Sequence, residues 1–265
     1  MKVFHRKDLA KTMSDIILSD DITGASSGLF LAAPRRTGKS TFLREDLRPF
    51  LEDQGLLVLY IDLWADRKKD PGDVISEAVL EAVVAKKLGS KFFGGIDNVE
   101  ISALGIGVAV GKGGAPQKNI SLREAFMLLS ESEKKKIVLM IDEAQHALTT
   151  EKGSDALFAL KAARDELNSS KYYGLRIIAT GSNRDKLAVL KNSKEQAFFG
   201  APLANLKKLD KNYSDWFTDN VHFPEKMDKD FVWDCFQKTS FRPEFLASAA
   251  DSIRIDLLEG NIESK

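Results

Sequence analysis

A single cysteine, Cys235, stands among 265 residues, which excludes an intrachain disulfide and favours a reducing compartment. Long hydrophobic runs are missing too. The longest weakly apolar stretch, ISALGIGVAV at 101–110, is about half the roughly 20 residues that a membrane-spanning helix needs. The N-terminal MKVFHRKDLAKTM has no apolar h-region, which argues against a secretory signal. Charge of one sign is absent as well. Lys plus Arg and Asp plus Glu each number 39, so nucleic acid gains no global attraction and would need a local basic patch. The three histidines, His5, His146 and His222, have no metal-ligand spacing. These absences leave a soluble cytoplasmic protein with no membrane partner as the expectation.

What is present has a regular order. The length suits one α/β nucleotide-binding domain with a small appendage. Apolar strand-like runs alternate with helical patterns from about residue 28 to 210, the signature of a parallel sheet with crossover helices. Strands are expected at 28–33, 56–63, 137–141 and 175–180, with a weaker one near 203–209; helices are expected at about 38–52 and 71–88. The runs at 137–141 and 175–180 are continuously apolar, as strands buried on both faces are. Glycines at 94, 95, 105, 107, 111, 113 and 114 interrupt the alternation, so 92–119 reads as a hairpin insertion, either a plain surface flap or a partner-binding element. From 211 to 265 the pattern is helical, with Phe231, Val232, Cys235 and Phe236 expected on one face. The expected organisation is a core over 1–210 and a helical lid over 211–265.

Four motifs carry chemistry. In AAPRRTGKST at 32–41, small residues let backbone N–H groups curl around a phosphate, and the following helix adds its positive end. Ala33, Pro34, Arg35, Arg36, Thr37, Gly38, Lys39, Ser40 and Thr41 form this loop, with Lys39 for the β/γ-phosphates and Ser40 for Mg²⁺. In KIVLMIDEAQHAL at 136–148, a strand ends in two carboxylates. Asp142 is placed to hold Mg²⁺ and Glu143 to polarise an attacking water. In LRIIATGSNRDKL at 175–187 another strand ends in Thr180, Ser182, Asn183 and Arg184. Either Ser182 or Asn183 orients the water, or the cluster caps the next helix. In TSFRPEFL at 239–246, Arg242 either reaches the γ-phosphate or lies on a solvated helix end.

Together with FHRKDLAKTM at 4–13, these motifs resemble the AAA+ superfamily of P-loop ATPases, and within it the archaeal-type and STAND-related members. Those families carry a Phe-x-x-Arg-x-x-x-Leu-like box that Phe4, Arg6 and Leu9 fit loosely, each step one residue shorter, with Asp8 at a usual acidic position. Their P-loop often reads Gly-Pro-Arg-Arg-Thr-Gly-Lys-Thr, so Ala33 departs from a glycine. The resemblance implies a five-stranded parallel sheet in the order 5-1-4-3-2, a helical lid, and ATP with Mg²⁺ held between them, Phe4 and Arg6 included among the nucleotide contacts. It implies ATP hydrolysis driving a conformational switch on a protein partner or in a homo-oligomer. A DNA-handling ATPase and a slow nucleotide sensor are the alternatives. The winged-helix or repeat domain of many relatives is not expected after the lid. No arginine stands out as a finger, Arg164 and Arg184 being the candidates, so a second protein surface is expected to supply what hydrolysis needs.

Overall fold

The computed structural model describes residues 2–19, 24–85, 98–102, 108–110, 116–169, 171–192, 195–222 and 227–260. Five runs become strands of one sheet, and the three central ones are apolar because alternate side chains point to opposite faces and both faces are covered. The five are β1 (Leu29–Ala32), β2 (Leu57–Asp62), β6 (Ile137–Asp142), β7 (Leu175–Gly181) and β8 (Leu203–Asn205). Their order in the sheet is β2-β6-β7-β1-β8, every pair parallel. Three strands of a separate sheet intervene in the chain; counted without them, this is 5-1-4-3-2 read from the other edge.

The burial of β6 shows why the run is apolar throughout. Ile137, Leu139 and Ile141 enter one core with Phe30, Ile177 and Ile61, whereas Val138 and Met140 enter the other with Leu31, Ile178 and Val58. Helices α4 (Pro71–Ala85), α5 (Leu122–Glu133) and α6 (Glu151–Leu167) cover the first face through Ile75, Val79, Phe126, Leu129, Leu157 and Leu160. On the second face lie α1 (Lys7–Leu18) and the helical rod after β1. That rod begins as α2 (Lys39–Phe42), widens into a π-turn at Leu43–Leu47 and ends as α3 (Arg48–Asp53).

Local chemistry fixes the helix starts. Ser121 and Glu124 form a capping box at α5, and Thr150 accepts from the Gly153 N–H at α6. The α6 cap also explains a small residue, because a Cβ on Gly153 would lie 2.2 Å from the Ala147 carbonyl oxygen. After residue 210, α8 (Lys211–Asn220) and α9 (Lys229–Lys238) start at Asp210 and Asp228 caps, and α10 (Pro243–Leu258) has Pro243 in its first turn. Tyr213, Phe217, Val232, Phe236, Leu246 and Ala250 close around one another in a third core. Phe231 departs from the expected face: it is 58% exposed, because α9 turns Val232 and Phe236 inward instead.

The insertion is more than a hairpin. Strands β3 (Asn98–Ser102), β4 (Val108–Val110) and β5 (Pro116–Ser121) form a sheet in the order β3-β5-β4. β4 and β5 pair antiparallel, as a hairpin does, but β3 pairs parallel to β5. Residues 92–97, 103–107 and 111–115 of the expected hairpin lie outside the described residues. No described helix is long and apolar enough to cross a membrane.

Candidate active site

Register brings the chemistry-bearing residues to one place. Ala32 aligns with Gly181, and Asp62 with Asp142, so the last residues of four neighbouring strands share the carboxyl edge of the sheet. Ligands of open parallel sheets collect at that edge. The loop from Ala33 to Gly38 leaves β1 there and bends through left-handed positions at Arg36 (φ 67°) and Gly38 (φ 80°). Gly38 suits its place because an L side chain rarely adopts that φ. Lys39 and Ser40 then open the helical rod. A cleft of about 320 Å³ lies against this loop, lined in part by Arg35, Lys39, Ser40, Trp64, Asp142 and Glu143.

Asp142 is the hub. It is 1% exposed, and its carboxylate accepts from Lys39 Nζ at 2.5 Å, Ser40 Oγ at 2.5 Å, Thr180 Oγ1 at 2.5 Å and the Tyr60 hydroxyl at 3.2 Å. Burial raises the Asp142 carboxyl, but the Lys39 ammonium and the hydrogen bonds from Lys39, Ser40 and Thr180 outweigh it, so the group sits below the ordinary carboxylate range. Burial and the Asp142 charge push the Tyr60 phenol up, so it stays a neutral donor.

Glu143 turns the chain off β6 at φ 55°, a left-handed position unusual for a side chain of its size. Its carboxylate accepts from Lys39 Nζ at 2.8 Å, Gln145 Nε2 at 2.5 Å, Ser182 Oγ at 2.8 Å and the Ser182 N–H at 3.2 Å. Burial raises this carboxyl too. The Lys39 bond and charge, with Gln145 and Ser182, outweigh it and keep Glu143 ionised below its ordinary value. An ionised carboxylate beside this cleft can accept a proton from an attacking water. The donor set also fits a hard divalent cation: the Ser40 hydroxyl and the Asp142 carboxylate are adjacent oxygens of the kind Mg²⁺ takes, with Asp62 lining the same cleft.

The sequence-derived residues divide. Lys39, Ser40, Asp142, Glu143 and Ser182 meet within hydrogen-bonding distance. Asn183 stands apart: its Oδ1 accepts from the Lys186 N–H at 2.9 Å, which caps α7 (Arg184–Asn192). The Arg242 guanidinium lies 5.4 Å over the Phe245 ring, and the contact from the C-terminal helices to the loop is instead Glu244 to Arg36 at 2.9 Å. Arg184 ties Asn205 and the Leu203 carbonyl, while Arg164 is buried on the Ser27 carbonyl, Asp165 and Phe198. Thr37 turns its hydroxyl to the Pro34 carbonyl at 2.7 Å.

Phe4 and Arg6 border a second cavity of about 540 Å³, next to Gly38, Thr41 and Tyr213. Phe4 packs edge-on to Tyr213 at 5.4 Å, and Arg6 lies over Phe42 at 5.3 Å and donates to the Lys207 carbonyl.

The motifs place Thr180 in a polar cluster without joining it to Asp142, and they leave Tyr60, Gln145 and Trp64 unassigned. Tyr60 and Thr180 are hydroxyls inside otherwise apolar strand runs, a signal that was visible. Gln145 and Trp64 matter only through neighbours that the fold supplies.

No protein-family model matches the sequence, and no curated protein matches it. Solved structures do match. The Walker-type ATPase PABY2304 of Pyrococcus abyssi is 22% identical, with a TM-score of 0.60, over 92% of this chain and 65% of that one. The chain has the fold of a Walker-type ATPase. The five-stranded parallel sheet expected from the motifs agrees with that fold. Weaker matches are the Aeropyrum pernix ORC1 protein in complex with DNA and the ORC2 protein of that organism in its ADP form. The first has 16% identity, TM-score 0.46, and coverage of 83% of this chain and 50% of the other. The second has 12% identity, TM-score 0.49, and coverage of 80% and 50%. The chain thus spans about two thirds of the length of the Pyrococcus ATPase or less, and half that of the other two.

Proposed function

We propose that this chain binds ATP with Mg²⁺ and hydrolyses it to ADP and phosphate, using the change between core and C-terminal helices to act on a partner protein. One observation carries the reading. Asp142 and Glu143, at the end of a buried strand, share the ammonium of Lys39 with the Ser40 and Ser182 hydroxyls beside it. Loop N–H groups and Lys39 bind the phosphates, Ser40 and Asp142 hold Mg²⁺, and Glu143 takes a proton from water aligned with the help of Ser182. Mg²⁺, when bound, neutralises phosphate charge. Phe4 and Arg6, beside Gly38 and Thr41, face the base and ribose end of the nucleotide. The Arg36–Glu244 ion pair joins the phosphate loop, and the Phe4–Tyr213 contact the N-terminal segment, to the C-terminal helices, which supports a lid that senses nucleotide state.

The test is binding. Lys39→Ala removes the one ammonium at the phosphate loop and should weaken ATP affinity at least tenfold by titration calorimetry, since charge-assisted bonds are worth about 1.5–3 kcal/mol. Unchanged affinity would move the nucleotide elsewhere.

A further inference from the structure

The transfer of a phosphoryl group to water builds charge on its equatorial oxygens, and an arginine is the side chain best shaped to meet it. The fold commits most arginines near the site. Arg36 pairs with Glu244, Arg6 with the Lys207 carbonyl, Arg164 with Ser27 and Asp165, and Arg184 with Asn205. Arg35 is different. It lines the cleft with Lys39 and Glu143, its Nε approaches Ser182 Oγ at 3.4 Å, and that same hydroxyl donates to Glu143 at 2.8 Å. Its guanidinium lies 4.8 Å over the Trp64 ring. Among the described residues no carboxylate forms a direct ion pair with Arg35. Trp64 is itself held between elements, with His146 at 4.1 Å and Arg67 at 4.2 Å from its ring.

We infer that Arg35, seated on Trp64, is the cation that stabilises the transferred phosphoryl group in cis. This rests on the proposed ATP hydrolysis and assigns that reaction a residue which no partner need supply. The water oxygen bonds to the γ-phosphorus as the bond from that phosphorus to the β–γ bridging oxygen breaks. The bridging oxygen leaves with the electron pair on ADP, and the water proton passes to Glu143. Arg35 exchanges no proton. It shares the charge on the equatorial oxygens while Lys39 serves the β/γ side. Trp64 is a positioning residue, acting through the face it offers the guanidinium.

Arg35→Ala should leave ATP and ADP affinity within about threefold and lower kcat by on the order of 10²- to 10³-fold, the usual loss of one preorganised charge-stabilising group. Arg35→Lys should recover only part of the rate, because an ammonium lacks the planar fork. A second readout needs no turnover. ADP with aluminium fluoride mimics the phosphoryl group in flight, and its affinity should fall in Arg35→Ala by about the factor lost from kcat. Trp64→Leu should lower both quantities in the same sense with ADP affinity kept. Wild-type kcat should not depend on protein concentration. Wild-type turnover and mimic affinity in Arg35→Ala would overturn the role of Arg35. Weaker mimic binding without any Glu143-dependent turnover in the wild type would instead keep Arg35 at the phosphoryl position and sink the hydrolytic reading.

Discussion

Lys39 holds two carboxylates that burial would otherwise penalise, and that balance has a pH signature. Asp142 and Glu143 sit below the ordinary values of 3.8 and 4.5 despite burial, because the ammonium and neighbouring donors outweigh desolvation. A depressed folded pKa contributes stability that is fully present above the unfolded value and is lost as pH falls through the folded value. Wild-type stability should therefore drop on acidification below about pH 4.5. Lys39→Met leaves burial as the largest remaining influence, which raises both groups, so that variant should gain stability as pH falls toward about 4.5, above the range in which wild type loses it. Urea midpoints from about pH 3 to pH 7, with EDTA and without nucleotide, decide it; parallel curves would show that Lys39 is not what holds the pair. Gly181 tests the same centre from another side. A Cβ there would lie 2.3 Å from Gln145 Oε1, so Gly181→Ala must move the amide that donates to Glu143. The expected stability loss in thermal denaturation is small, below about 1 kcal/mol, because the end of a flexible side chain can swing aside. A lower kcat with ATP affinity nearly unchanged should accompany it, and an unaltered kcat would remove Gln145 from the positioning of Glu143.

At the scale of elements, strand ends were legible and strand neighbours were not. The loop around Lys39 and the Asp142–Glu143 pair are contiguous patterns, so their chemistry could be read directly from the chain. Thr180 and Tyr60 reach Asp142 only because β7 and β2 flank β6, which no local pattern states. The cap at α7 took Asn183, and the roughly 100° of helical phase between Phe231 and Val232 put Phe231 outward; each choice was settled by local hydrogen bonding or packing that the sequence left open. The N-terminal segment clasps the helical rod and the C-terminal helices together. His5 Nδ1 pairs with the buried Asp46 carboxylate of the π-turn at 2.7 Å, and Phe4 enters the third core beside Tyr213 and Trp216. Phe4→Ala should cost roughly 2 kcal/mol, less than the 3–5 for a fully buried phenylalanine, and should weaken ATP binding as the cavity wall is lost. Urea denaturation and an ATP titration of the same variant check both halves. Weaker folding with intact ATP affinity would make Phe4 structural alone.

For the whole molecule, the order 5-1-4-3-2 was carried by the resemblance, whereas composition and periodicity gave only a parallel α/β sheet. The β3-β5-β4 sheet was the least legible part. Glycine-rich spacing announced an interruption, but the parallel pairing of β3 with β5 depends on long-range contact. In the proposed ATPase, the phosphate loop, the carboxylate pair and the helical cluster act together, with Arg35 making hydrolysis independent of a second copy and the partner receiving the output. Its central claim is that Glu143 performs chemistry and does not merely bind. Glu143→Gln keeps the side chain's size and hydrogen bonding while removing the base. Paired titration calorimetry and steady-state phosphate release on that variant test the claim most directly. The account predicts ATP affinity within about threefold of wild type and turnover lower by on the order of 10²-fold or more. Hydrolysis by Glu143→Gln at the wild-type rate would contradict it.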